Sequence, residues 1–208
     1  SYPLRKAQAE QYFKPITFIP IQEYHPKRTD EKIARAAVGQ LRADLARGLN
    51  HLIMARADTV ERAGQIHAIY QLIADDYHPV LLHSRQGAAA RREGLQRLRG
   101  GASRIVVCVD MLGEGFDLPQ LKIAALHDIH KSLAITLQFT GRFTRHTEDV
   151  GNATVIANIA DADVDETLRA LYAEDPDWNT LLHRLSEGAT GRELRRSQFF
   201  EGFIDVPE

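Results

Sequence analysis

The stretch QFTGRFTR, Gln138 to Arg145, places two guanidinium groups three residues apart, with a glutamine four residues before the first. If this segment is helical, Gln138, Arg142 and Arg145 stand at i, i+4 and i+7 and share one face. Two aligned guanidiniums repel each other, so the spacing suggests an anion between or near them, and their planar forks suit phosphate oxygens. A solvated face with ion pairs to Glu148 and Asp149 is the competing account. Phe139 and Phe143, also four apart, occupy the adjoining face, where packing on a core is favoured over base stacking.

A second segment, DMLGEGFDLPQ from Asp110 to Gln120, has the composition of a loop that a ligand can approach closely. Gly113 and Gly115 admit backbone conformations closed to other residues, and Pro119 fixes the exit. Asp117 presents a carboxylate to a sugar hydroxyl or to an arginine. A tight glycine turn capped by that aspartate accounts for the same residues equally well. Two further clusters carry less. His127, Asp128 and His130 form a poor zinc set without additional ligands, and Asp161, Asp163 and Asp165 suit a helix N-terminus.

These segments need a scaffold, and the pattern along the chain supplies one. ITFIPI (16–21), HLIMA (51–55), PVLLH (79–83), RIVVCVD (104–110), KIAAL (122–126) and ATVIANI (153–159) read as strands. Between them lie helical patterns over about 30–47, from Asp58 onward, over 91–99 and from about Ser132. The first carries Ile33, Ala37, Leu41 and Leu45 on one stripe with Ala34 and Val38, and the second carries Val60, Ala63, Ile66, Tyr70 and Ile73. Asp58 and Glu61 have capping-box spacing, and Gly100-Gly101 ends the third helix. Strands alternating with helices predict an α/β fold: a parallel sheet with helices on both faces. RIVVCVD, the most apolar strand, is expected at its centre. Beyond Asp161 a charged helical extension follows, with Trp178 and the stripe Leu181, Leu182 and Leu185.

Composition limits the function. The 208 residues are enough for one well-cored domain with an appendage, and 44% hydrophobic residues is ordinary globular usage. A formal net charge of -2 means that any basic site must be local. One cysteine, Cys108, excludes an internal disulfide and favours a reducing, cytoplasmic setting. No uninterrupted apolar run has membrane-spanning length. Both ends suggest a piece of a larger chain.

In a doubly wound sheet the ligand lies beyond the carboxyl ends of the strands, so both segments fall where chemistry is expected. There DMLGEGFDLP resembles motif V, and QFTGRFTR motif VI (Q-x-x-G-R-x-x-R), of the superfamily 2 helicases and translocases. HLIMARADTVERAGQI is similar to the motif IV strand and helix, and LLHSRQGAAARREGLQRLRGGASRIVVCVD to the region leading into motif V. The resemblance covers about residues 50–159, and the GEGFD wording is closest to the restriction-translocase, UvrB-like and XPB-like branches.

This resemblance implies a RecA-like C-terminal motor domain over residues 16–160. Residues 1–15 would join it to a preceding motor domain, and 161–208 would lead to further domains. It implies that ATP, with Mg²⁺ held by the first domain, sits in the cleft between the two. No G-x-x-x-x-G-K-[ST] occurs here, so the chain alone is expected not to hydrolyse ATP. By the same resemblance Arg142 and Arg145 reach the γ-phosphate, Gln138 and Gly141 belong to motif VI, and Gly113, Gly115 and Asp117 line the nucleotide through motif V. Nucleic acid, DNA ahead of RNA, would cross the top of both domains, with Arg56 after the second strand, Ser84 and Arg85 after the third, and Met111 as phosphate contacts. Val109, where relatives carry threonine, and Glu114, where others carry arginine, depart from the pattern. A non-catalytic helicase-like module that binds nucleic acid or protein is the alternative.

Overall fold

The computed structural model describes residues 16–109, 118–128, 151–158 and 160. Strands β1 (Ile16–Ile21), β2 (Leu52–Arg56), β3 (Val80–Leu82), β4 (Ile105–Cys108), β5 (Leu121–Leu126) and β6 (Ala153–Asn158) form one sheet in the order β1-β6-β5-β2-β4-β3. Every pairing is parallel. Parallel neighbours need long crossovers, and helices α1 (Pro26–Ala46), α2 (Val60–Ala74) and α3 (Ala88–Arg99) provide them here. A short 3₁₀ turn, Asp75–Tyr77, follows α2.

Strand register decides which helix covers which face. Ile53, Ala55, Ile105, Val107, Ile123, Ala125 and Ile156 point to one side and share a buried core with Ile33, Ala37 and Leu41 of α1 and Ala63, Ile66 and Tyr70 of α2. Each large apolar side chain buried there contributes about 1.5–3 kcal/mol. Leu82, in register with Cys108, points the other way. There it meets α3, where a Cβ on Gly94 would stand 2.6 Å from Leu82 Cδ2, so only glycine allows so close an approach. Helices therefore cover both faces.

Differences from the sequence-based expectation have physical causes. Helix α1 begins at Pro26 rather than near residue 30, because proline in the first turn loses no intrahelical hydrogen bond. Helix α3 begins at Ala88 rather than Arg91. Three alanines have high helix propensity but no apolar period to betray it. The cap of α2 is Thr59, whose Oγ1 accepts from the Arg62 N–H at 3.1 Å, not Asp58. Strand β4 is interior and buried along its length, but β5 and β2 hold the middle of the sheet. Two-faced burial identifies an interior strand without ranking it. Gly100 and Gly101 do end α3, with Gly101 at φ +72°. The helix from Ser132 and the extension over 161–208 lie outside the described residues.

Candidate functional site

All strands point the same way, so their carboxyl ends form one edge. From β2 the chain passes to β3 and β4 on one side, and β5 leads to β6 and β1 on the other. The boundary between β2 and β5 is the topological switch point where open α/β sheets bind ligands.

A hydrogen-bonded cluster occupies that boundary. Asp30, in the first turns of α1, accepts from both terminal nitrogens of Arg62 on α2, Nη1 to Oδ2 at 2.8 Å and Nη2 to Oδ1 at 2.9 Å. The same Arg62 Nη2 donates to Asp128 Oδ1 at 3.0 Å, two residues past β5. The Asp58 backbone N–H donates to Asp128 Oδ2 at 3.1 Å, and the His127 N–H to the Arg56 carbonyl at 3.1 Å. His127 Nδ1 lies 3.0 Å from Asp30 Oδ1, and its Nε2 lies 3.3 Å from the Tyr70 hydroxyl. Arg62 thus ties α1, α2 and the exit of β5 together.

The electrostatics follow from this geometry. Burial alone would raise the Asp30 carboxyl, but hydrogen bonds and charge from His127 and Arg62 outweigh it and hold the group below its ordinary value. Arg62 is raised, first by its bond to Asp30 and then by Asp128, against partial burial. Burial raises Tyr70 strongly, with the Asp30 charge adding to it. Both ring nitrogens of His127 are engaged within the fold, so the local sequence His127-Asp128 serves packing here. His130 lies outside the described residues.

Of the residues singled out by sequence, Arg56 closes β2 rather than following it and is 1% exposed, with Nη1 3.8 Å from Asp58 Oδ1. Its position is therefore inside a strand, not in a loop. Ser84 and Arg85 are exposed in the loop after β3. That loop is held by Gln86, whose Nε2 donates to the Leu81 carbonyl at 3.0 Å and whose Oε1 accepts from the His83 N–H at 3.1 Å. Arg85 Nη1 sits 3.2 Å from Glu61 Oε1, an exposed pair. Met111, Gly113, Gly115, Asp117, Gln138, Gly141, Arg142 and Arg145 lie outside the described residues. Asp30, Arg62 and Tyr70 were not legible as site residues. Asp30 lies 97 residues from its partner His127, and no local spacing carries that contact.

Among the described residues, the two carboxylates at the switch point are already committed to Arg62.

Comparison with known proteins agrees with this architecture. Residues 39–147, just over half of the chain, match the family described as the helicase conserved C-terminal domain. The chain is 30% identical over 103 residues to the pre-mRNA-splicing ATP-dependent RNA helicase prp28 of Schizosaccharomyces pombe, covering 50% of this chain and 15% of that protein. It is 28% identical over 147 residues to UvrABC system protein B of Chlorobaculum tepidum, covering 67% and 20%. The chain thus spans about a fifth or less of these relatives. The C-terminal domain of S. cerevisiae Dbp5 superposes with a TM-score of 0.56 at 14% identity, over 77% of this chain and 85% of that one. Domain 2 of the DEAD-box helicase Mss116p, in a structure with an RNA duplex, gives 0.51 at 18% identity, over 69% and 53%. The fold is shared at identities where sequence alone is nearly silent. The chain belongs to the helicase conserved C-terminal domain family and is a RecA-like C-terminal motor domain of superfamily 2.

Proposed function

We propose that this domain is the second half of an ATP-dependent nucleic-acid motor, contributing arginines to a nucleotide bound against a separate first domain. The observation that carries this reading is the family match over residues 39–147, which spans Asp110–Pro119 and Gln138–Arg145 in the order of motifs V and VI. Arg142 and Arg145 would stabilise charge on the transferring γ-phosphoryl group, a role worth on the order of 10³ to 10⁵ in turnover. Gln138, Gly141, Gly113, Gly115 and Asp117 would shape the same pocket. The first domain would hold Mg²⁺ and cradle the phosphates. Ser84 and Arg85, exposed at the strand-end edge, would contact nucleic-acid phosphates, and Met111 would lie beside them.

DNA is proposed first, on the GEGFD wording shared with the UvrB-like branch. Relatives named as RNA helicases make RNA the second reading. In the full-length protein, Arg142→Ala is expected to lower nucleic-acid-stimulated ATP turnover by about 10³-fold or more, with the thermal midpoint unchanged. Wild-type turnover in that variant would favour the non-catalytic module instead. Competition between matched DNA and RNA strands decides the substrate.

A further inference from the structure

The strand exits are held in different ways. Gln86 secures the loop after β3 from within that loop. Beyond β1, Glu23 and the Asn158 side chain exchange two hydrogen bonds, N–H to Oδ1 at 3.0 Å and Nδ2 to the carbonyl at 2.9 Å, which tie two neighbouring strand ends to each other. The exit of β5 is held from farther afield. The His127 N–H continues the ladder onto the Arg56 carbonyl of β2, and the Asp58 N–H of the following loop binds Asp128 Oδ2. Arg62 of α2 reaches Asp128 Oδ1 through Nε at 3.3 Å as well as through Nη2 at 3.0 Å. Asp30 of α1 then grips the two terminal nitrogens of the same guanidinium.

Stability alone is a weak reason for such a cluster. Charged groups withdrawn from water lose solvation that their mutual attraction only partly returns, and apolar side chains of similar volume often stabilise a fold as well or better. Hydrogen bonds, by contrast, are directional. Arg62 presents a rigid planar fork aimed at Asp30 and Asp128 together, so the Asp128 carboxylate is fixed in orientation as well as in place. A lysine would supply the same charge without fixing that angle. Along the chain, Asp128 is followed by the connection to β6 that contains Gln138, Arg142 and Arg145. Arginines that stabilise a transferring phosphoryl group must be placed closely, since a displacement of about 1 Å costs on the order of 10²-fold in rate.

We propose that Arg62 is a positioning residue for the nucleotide reaction: through Asp128 it fixes where, and in what direction, the chain leaves β5 toward Arg142 and Arg145. This rests on the motor reading above and gives a role to a residue outside both the Asp110–Pro119 loop and the Gln138–Arg145 segment. Arg62 itself need not touch the nucleotide. It acts by tying Asp128 to α1 and α2, the two helices that share one buried core on the sheet.

The test is nucleic-acid-stimulated ATP hydrolysis by the full-length protein, in steady state and in single turnover, below the thermal midpoint of every variant. Arg62→Lys keeps the charge and loses the fork. It is expected to lower kcat by roughly 10- to 10²-fold with KM for ATP unchanged, the pattern of a contact made only in the transition state. Asp128→Asn keeps an acceptor for the Asp58 N–H but weakens the hold of Arg62, and it is expected to behave alike, so the result does not depend on one substitution folding. Because Arg62 acts through the arginine segment, adding Arg62→Lys to Arg142→Ala should slow single turnover no further than Arg142→Ala alone. Losses that multiply in the double variant would overturn the proposal. So would an equal loss of kcat in Ser103→Ala, which removes a buried hydrogen bond to the His78 carbonyl before β3 and tests for a general effect of stability. Wild-type kcat in both Arg62→Lys and Asp128→Asn, with Arg142→Ala impaired, would overturn the role of Arg62 and leave the motor reading standing. Wild-type turnover in Arg142→Ala would remove both.

Discussion

Arg62 is the residue on which three elements converge, because its guanidinium satisfies Asp30 and Asp128 together. Removing it leaves two poorly solvated carboxylates facing each other without a cation. Arg62→Ala is expected to cost about 2–3 kcal/mol in urea unfolding, below the figure for a fully buried pair because a third of the Arg62 side chain is exposed. Acid dependence follows from Asp30, whose folded carboxyl lies below its ordinary value of 3.8. A depressed carboxyl contributes stability that is complete above the unfolded value and lost as pH falls through the folded one. The wild-type urea midpoint should hold from neutrality to about pH 4 and fall below it. In Arg62→Ala the decline should be smaller and be complete at higher pH, because the folded Asp30 carboxyl then lies closer to its unfolded value, with His127 alone opposing the effect of burial. A decline of equal size in both proteins would contradict this account of Asp30.

At the scale of elements, the start of α2 shows how one hydroxyl sets a boundary. Thr59 Oγ1 accepts the Arg62 N–H, which frees Asp58 from capping and leaves its own N–H for Asp128. Thr59→Ala is expected to cost about 1 kcal/mol, and Thr59→Ser to recover most of it. Equal stability of all three proteins would exclude that cap. Capping-box spacing in the sequence pointed one residue too early, since both Asp58 and Thr59 are competent caps. The choice between them depends on Asp128, 70 residues away. The interior strands, by contrast, were plain from their apolar runs, and the inner faces of α1 and α2 from their 3.6-residue period.

For the molecule as a whole, one parallel sheet brings loops distant in sequence to a single edge, and this makes half of a composite site a natural reading. The chain by itself is expected to show no ATP turnover above background in a phosphate-release assay, with or without nucleic acid. Turnover should require the first motor domain. Activity from the isolated chain would remove the premise that catalysis is shared between two domains.

The alternating pattern determined the class of fold without any tertiary information. Apolar periods of 2 and 3.6 depend only on neighbours along the chain, and the motif V and VI segments are equally local. Tertiary structure alone decided the strand order, the interior place of Arg56, and the joining of Asp30, Arg62, His127 and Asp128 at the switch point. These are contacts between residues tens of positions apart, fixed by how crossover helices dock on a shared sheet, and no short window of sequence records them.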